Sequence, residues 1–344
     1  MRPRGKAMSG LYGATSTADE VLDGVNLNGK RALVTGVSAG LGVETARTLV
    51  AHGAHVVGAA RNLTKARTAT AHVRDQAVTG GSLEIVELDL SSLASVRRCA
   101  EGLLAAEESF DLIVANAGLL AAQLGKTEDG FETHFGVNYL GHFVLVNRLA
   151  RLLKPGARVV MLSSSAHYCA DVNLEDPNFE QSDYAPFVAY GRSKTANALF
   201  AVEFDRRHRD GGVRATAVHP GGIITEIARE LPPGASERTV EDFNASRPEG
   251  TPAAVLKTVS QGVATSVWAG VVASADSVGG RYCEDCHVAE IIAKSDVTMP
   301  DPFTTGVRAY AVDPNRAKAL WAKSEQWAVE QFCQTPLRQL ATGR

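Results

Sequence analysis

From residue 31 onward the chain alternates short, nearly continuous apolar runs with longer stretches whose apolar positions recur at helical spacing. The short runs are "RALVTG" (31–36), "AHVVGAA" (54–60), "LEIVEL" (83–88), "FDLIVAN" (110–116), "ARVVMLS" (157–163), "VRATAVH" (213–219) and "GGRYCE" (279–284). Apolar runs without alternation suit strands covered on both faces. Helical spacing occupies 41–52, 63–77, 92–108, 129–153, 187–209 and 252–273. This order predicts one α/β domain over 29–300, a doubly wound parallel sheet of about seven strands with its ligand crevice at the carboxyl ends. Two parts fall outside the rhythm: an extension at 1–28 and a tail at 301–344 containing "NRAKALWAKSEQWAVEQF". Both are expected on the sheet's surface or against a neighbouring subunit.

Composition narrows the picture. Thirty-five Lys and Arg against 38 Asp and Glu give a formal charge of −3, which offers no electrostatic case for nucleic acid or an anionic membrane. No apolar window reaches the length of a membrane span and no signal peptide is evident, so a cytoplasmic protein is expected. Five scattered cysteines fit a reducing compartment, and the single C-x-x-C, Cys283 and Cys286, reads as two reduced thiols near a strand end. No His, Cys and acid cluster has metal-ligand spacing, and no metal is expected.

Chemistry enters at the first turn. "TGVSAGLG" places Gly36, Gly40 and Gly42 between a strand and a helix. Glycines there let backbone approach a diphosphate, and the helix start offers unpaired N–H groups, as in Rossmann-type sites. An NAD site would have an acid about 20 residues on to bind the ribose hydroxyl. Residues 45–74 contain no Asp or Glu, and Arg61 stands at the end of the second strand, so NADP is expected rather than NAD. Asp89 and Leu90 either rest against an adenine, or Asp89 is simply a helix N-terminal acid. "ANAG", with Asn116, Ala117 and Gly118, leaves room for a ribose.

"VAYGRSKTANALF" puts Tyr190 and Lys194 at i and i+4, on one helix face. A nearby ammonium, with an oxidised nicotinamide, would draw the phenol's pKa from about 10 towards neutrality and let it exchange a proton with a substrate oxygen. Ser164 would orient that oxygen, Lys194 would also grip the nicotinamide ribose, and Asn138 would hold a water linking Lys194 to solvent.

On these residues the chain, over about 28–290, resembles the short-chain dehydrogenases/reductases, nearest to retinol dehydrogenase-like members and to the oxidoreductase domain of WW-domain-containing oxidoreductases, without WW modules. The resemblance implies that Asn138, Ser164, Tyr190 and Lys194 form a catalytic tetrad. Ser164 is chosen over Ser163 and Ser165 because the family's motif uses the second serine. It further implies that Gly36, Ser38, Ala39, Gly40, Leu41 and Gly42 hold the cofactor, and that Pro220, Gly221, Ile223 and Thr225 of "HPGGIIT" embrace the nicotinamide carboxamide. Ala39 stands where many NADP-preferring members have a basic residue, so the phosphate reading rests on Arg61 with Asn62 as helper. Helices 129–153 and 187–209 are expected, by resemblance, to form a homodimer or homotetramer interface.

Residues 226–255, with four prolines, read as a lid whose Ile227, Leu231, Val240 and Phe243 either meet a hydrophobic alcohol or carbonyl substrate or only pack the lid down. His142 and His167 read as hydrogen-bonded wall residues. The leading expectation is an NADP-dependent alcohol dehydrogenase or carbonyl reductase. Reduction of an activated C=C bond and a non-catalytic NADP-binding sensor are the alternatives.

Overall fold

The structure, a computed structural model, describes residues 11–78, 80–120, 123–228, 234–245, 253–292 and 305–332. In chain order the elements are α1 (Ala18–Leu22), β1 (Arg31–Thr35), α2 (Gly40–Ala51), β2 (His55–Ala60), α3 (Leu63–Ala69), α4 (Ala71–Asp75), β3 (Ser82–Glu87), α5 (Leu93–Ala105) and β4 (Phe110–Ala115). Then come α6 (Gly141–Leu149), β5 (Leu153–Leu162), α7 (Pro186–His208), β6 (Arg214–Val218), α8 (Ala235–Ala245), α9 (Val259–Val267) and α10 (Ala275–Val278). The chain closes with β7 (Tyr282–Glu284), β8 (His287–Val288), β9 (Ile291–Ile292), β10 (Val307–Arg308) and α11 (Pro314–Ala328).

Eight strands form the main sheet in the order β3-β2-β1-β4-β5-β6-β7-β8, parallel except for the last pair. The order reverses between β1 and β4, and a crevice opens there at the carboxyl ends. Helices α5, α6, α7 and α11 bury one face of the sheet, and α1, α2 and α9 the other. The extra strand β8 is the return arm of a hairpin whose two turn residues, Asp285 and Cys286, both have positive φ. Cys283 and Cys286 are buried free thiols in that hairpin, and burial pushes both thiols up.

Three expected helices are shorter than their apolar spacing suggested. The stretch 63–77 breaks at Thr70, whose hydroxyl donates to the Ala66 carbonyl and closes α3 early. The stretch 129–153 turns at Gly130 (φ +85), and helix begins only after Glu132, whose carboxylate accepts from the N–H groups of His134 and Phe135. Its end, Leu153, already belongs to β5. The stretch 252–273 starts at the Thr258/Gln261 capping box.

The described parts of the two flanking segments, 11–28 and 305–332, pack into the body. Ala18, Val21 and Leu22 of α1 are fully buried, and Gln261 and Ser260 of the α9 start tie them down through the Thr15 carbonyl and the Ala18 N–H. In the tail, Trp321 stacks on Phe200 of α7 and meets Phe143 of α6 edge-on. The outer surfaces of α6 and α7, where resemblance suggests a second copy, are therefore covered by the chain's own α11. No helix of the described residues is long and apolar enough to cross a membrane.

Candidate active site

β1 ends at Thr35, and the chain turns through Gly36 (φ +81) and Gly40 (φ +54) into α2. A Cβ on Gly36 would lie 2.9 Å from Ala117 Cα, and one on Gly42 would lie 2.3 Å from Gly36 O. The turn, the start of α2 and the end of β4 are thus packed to backbone contact, which only glycine permits. Ala39, the N-cap of α2, has no side-chain oxygen to take the first helical N–H groups, so these are free in kind to meet an anion. The donor set fits a dinucleotide diphosphate.

The neighbouring loop is fixed by the buried Thr35. Its hydroxyl oxygen accepts from the N–H groups of Asn116 (3.0 Å) and Ala117 (2.9 Å), and Asn116 Nδ2 donates to the Thr35 carbonyl (2.8 Å). Thr35 then donates its proton to His142 Nε2 at 2.9 Å, and His142 Nδ1 donates to the Asn138 carbonyl at 3.0 Å. His142 is fully buried, with burial pushing it down to about 4. It braces the site from behind and does not face a substrate.

From this turn a cleft of about 520 Å³ runs across the carboxyl ends. Its walls hold Gly36, Ser38, Ala39, Gly40 and Leu41, then Arg61 and Asn62, then Asp89 and Leu90, and then Asn116, Ala117 and Gly118. Tyr190, Lys194, Pro220 and Thr225 complete them. Lys65 joins Arg61 on the wall and pairs with Glu226 across the mouth. Sequence reasoning missed this lysine, although one helical turn past Arg61 is where a second cation would reach the same spot. Asn62 Oδ1 caps α3 by accepting from Lys65 N at 2.8 Å, which leaves its amide N–H groups for a ligand. Asp89 both lines the cleft and accepts from Ser91, while the N-cap of α5 is Ser92.

Five expected residues are off the wall. Gly42 acts through packing. Gly221 (φ +94) lies under the Lys257 side chain, and the Ile223 side chain packs towards Gly262 and Leu41 behind the cleft. Asn138 and Ser164 stand just behind the reacting end.

At that end Ser164 is the side chain that lowers the Tyr190 phenol, and its hydroxyl oxygen accepts from the Ala166 N–H at 3.2 Å. Ser163, which lines the cleft, donates to the Lys194 carbonyl (2.8 Å), Ser165 is buried, and of the three only Ser164 acts on the Tyr190 phenol. Lys194, 3% exposed, sits 5.4 Å from the Tyr190 ring centroid and donates to the Leu162 carbonyl at 3.0 Å. Burial pushes Tyr190 up to about 12, against a lowering by Ser164, and pushes Lys194 down to about 8. Without the cofactor desolvation wins and Tyr190 holds its proton; the expected fall of the phenol towards neutrality calls on the oxidised nicotinamide as well as the ammonium.

Asn138 lies in a π-helical turn, Phe135–Leu140, that precedes α6. Its Oδ1 accepts from Leu119 N (2.8 Å), and its Nδ2 donates to Leu119 O and Ser193 Oγ, both at 3.0 Å. Both amide hydrogens being engaged, the amide's first task is to clamp the Leu119 backbone. Only Oδ1 still borders the space over Gly118, opposite Lys194 Nζ, at 3.2 and 3.6 Å from a Cβ built there.

Ile227, Leu119 and Val137 add apolar wall to the cleft, while Val240 of α8 is half-buried. Leu231 and the Phe243 side chain lie outside the described residues. Among the described residues no group of three His, Cys, Asp or Glu could hold a metal ion.

A sequence model described as short chain dehydrogenase matches residues 30–235. A probable oxidoreductase of Streptomyces lividans is 39% identical over 303 residues, covering 86% of this chain and 97% of that protein. Mouse retinol dehydrogenase 14 is 36% identical over 310 residues, covering 87% and 86%. A crystal structure of an uncharacterized protein from Mycobacterium paratuberculosis superposes with a TM-score of 0.67 at 32% identity, covering 90% of this chain and 96% of that one.

Proposed function

The chain belongs to the short-chain dehydrogenase family and is an NAD(P)-dependent oxidoreductase, and from that premise we propose that it interconverts a hydrophobic alcohol and its aldehyde or ketone with NADP. The observation that carries the proposal is the pairing of Tyr190 with the buried Lys194, 5.4 Å from its ring centroid, on the wall of the cleft that the glycine turn opens, with Ser164 lowering the phenol.

The bound cofactor supplies or accepts a hydride. The N–H groups at the start of α2 hold its diphosphate. Arg61, Asn62 and Lys65 take the 2′-phosphate, and two cations on one wall are what an added dianion requires. Asp89 and Leu90 support the adenine, Asn116 to Gly118 the adjoining ribose, Lys194 the other ribose, and Pro220 and Thr225 the carboxamide side.

The substrate oxygen is held between the Ser164 and Tyr190 hydroxyls. Tyr190, protonated across the neutral range, gives its proton to a carbonyl oxygen during reduction and recovers it in the reverse direction. Lys194 and Asn138 Oδ1 border the path by which that proton is replaced. Leu119, Val137 and Ile227 favour an apolar substituent on the reacting carbon. Any self-association uses a face other than the α6–α7 surface that α11 covers.

Replacing Tyr190 with Phe keeps the ring and removes the proton. NADPH oxidation with the best carbonyl compound from a panel of aliphatic aldehydes and ketones should fall by about 10²- to 10⁴-fold in kcat, with NADPH binding retained. Turnover within a few-fold of the wild type sinks the proposal.

A further inference from the structure

His167 follows Ser164 by three residues, is fully buried and does not line the cleft. Both of its ring nitrogens meet main chain. Nδ1 is 2.8 Å from the Ser164 carbonyl oxygen, and Nε2 is 3.1 Å from the N–H of Arg308. A backbone N–H can only donate, so Nε2 is the bare acceptor and the ring proton sits on Nδ1, where it donates to Ser164. Burial pushes the ring down to about 4, so it keeps this neutral form across the working range.

The segment that supplies Arg308 grips the same turn elsewhere. Tyr310 donates its hydroxyl to the His167 carbonyl, Tyr168 donates to the Thr305 carbonyl (2.9 Å), and the Gly306 N–H donates to the buried Glu284 carboxylate (2.6 Å). The Arg308 guanidinium lies 4.8 Å from the Tyr168 ring centroid, and the Tyr282 hydroxyl stands 3.3 Å from His167 Nδ1. Residues 305–310 thus form a strap across the 3₁₀ turn Ser165–Tyr168, with His167 as its central tie.

We propose that His167 is a positioning residue: by donating to the Ser164 carbonyl while accepting from Arg308, it fixes the main chain that aims the Ser164 hydroxyl at Tyr190. The strap 305–310 is thereby a working part of the active site, although none of it touches the cleft. This inference rests on the reading of Ser164 and Tyr190 given above.

Two substitutions at one position separate positioning from packing. In His167→Asn the amide takes the place of Nδ1 and still donates to the Ser164 carbonyl. In His167→Gln the longer amide reaches the Arg308 N–H and leaves that carbonyl unpaired. Thermal melts, NADPH fluorescence titration and NADPH oxidation with the wild type's best carbonyl substrate are compared. Both variants should melt lower. His167→Gln should lose at least about tenfold in kcat with NADPH affinity within about twofold, and His167→Asn should keep kcat within about threefold. Equal kcat in the two variants, or kcat that simply follows the melting temperature, overturns the proposal.

Tyr310→Phe removes only the strap's hydroxyl bond and decides the matter should His167→Gln not fold. A fall of about threefold in kcat at unchanged NADPH affinity supports the proposal, and an unchanged kcat overturns it. Tyr190→Phe run alongside keeps the two readings apart. Turnover retained there refutes the tetrad itself, whereas turnover lost there but undiminished in His167→Gln refutes only the role of His167.

Discussion

Lys194 brings a charge into a site where, among the described residues, the Leu162 carbonyl is the one hydrogen-bond acceptor it meets. The folded chain binds its proton at about 8 against 10.5 for an ordinary lysine. Below about pH 8 the folded protein therefore carries the whole cost of the buried ammonium, and stability rises with pH between about 8 and 10.5 as that cost disappears. Lys194→Met should then abolish turnover while stabilising the cofactor-free protein at pH 7, by up to about 3 kcal/mol at 1.36 kcal/mol per pKa unit. Leu162 O stays paired in that variant because Asn197 Nδ2 also donates to it, at 2.9 Å. Denaturant melts at pH 7 and 10.5 check the sign: the gain should be present at the first and largely absent at the second. Arg61 offers a second test at this scale, since it is exposed on the cleft wall with its charge available to a phosphate. Arg61→Asp should weaken NADPH roughly 10- to 100-fold, the worth of a lost charge-assisted hydrogen bond of about 1.5–3 kcal/mol. NADH binding, followed by the same fluorescence titration, should change little.

Among the elements, α2 is set against β1 and β4 by the absence of side chains. Gly42 leaves 2.3 Å to Gly36 O and 2.7 Å to Asn116 Nδ2, so Gly42→Ala must push the helix start away from the turn. Overpacking of this kind costs about 1–3 kcal/mol. The variant should melt lower and lose at least about tenfold in NADPH affinity, both read on one purified sample. The glycine spacing that makes this contact was legible in the sequence because strand, turn and helix are contiguous there. The π-helical turn that carries Asn138 was not legible. It goes with Leu119 and Ser193, 19 and 55 residues away, the first donating its N–H to the Asn138 amide and the second accepting from it. Helix limits at Thr70 and Gly130 were missed for a similar reason: apolar spacing continues through both, and a hydroxyl bond or a positive φ decides otherwise.

For the whole molecule, α1 and α11 turn a sheet-and-helix body into a closed one. Trp321, 2% exposed, stacks on Phe200 and is covered by the Arg207 guanidinium 4.2 Å from its ring centroid. Trp321→Ala should lower the unfolding free energy by about 3–5 kcal/mol, measured by urea melts. If instead the tail were a loose appendage, the change would lie near zero. The sequence by itself determined the alternation of strands and helices, the glycine turn and the Tyr190–Lys194 pair, because each is a matter of period or spacing along a few residues. Tertiary structure alone decided which of three serines acts on Tyr190, that the Ile223 side chain packs against Gly262, and that residues 305–310 tie down the turn after Ser164 through His167. Those outcomes depend on groups brought together across as many as 143 residues and on how deeply each is buried, and neither quantity is written in local pattern.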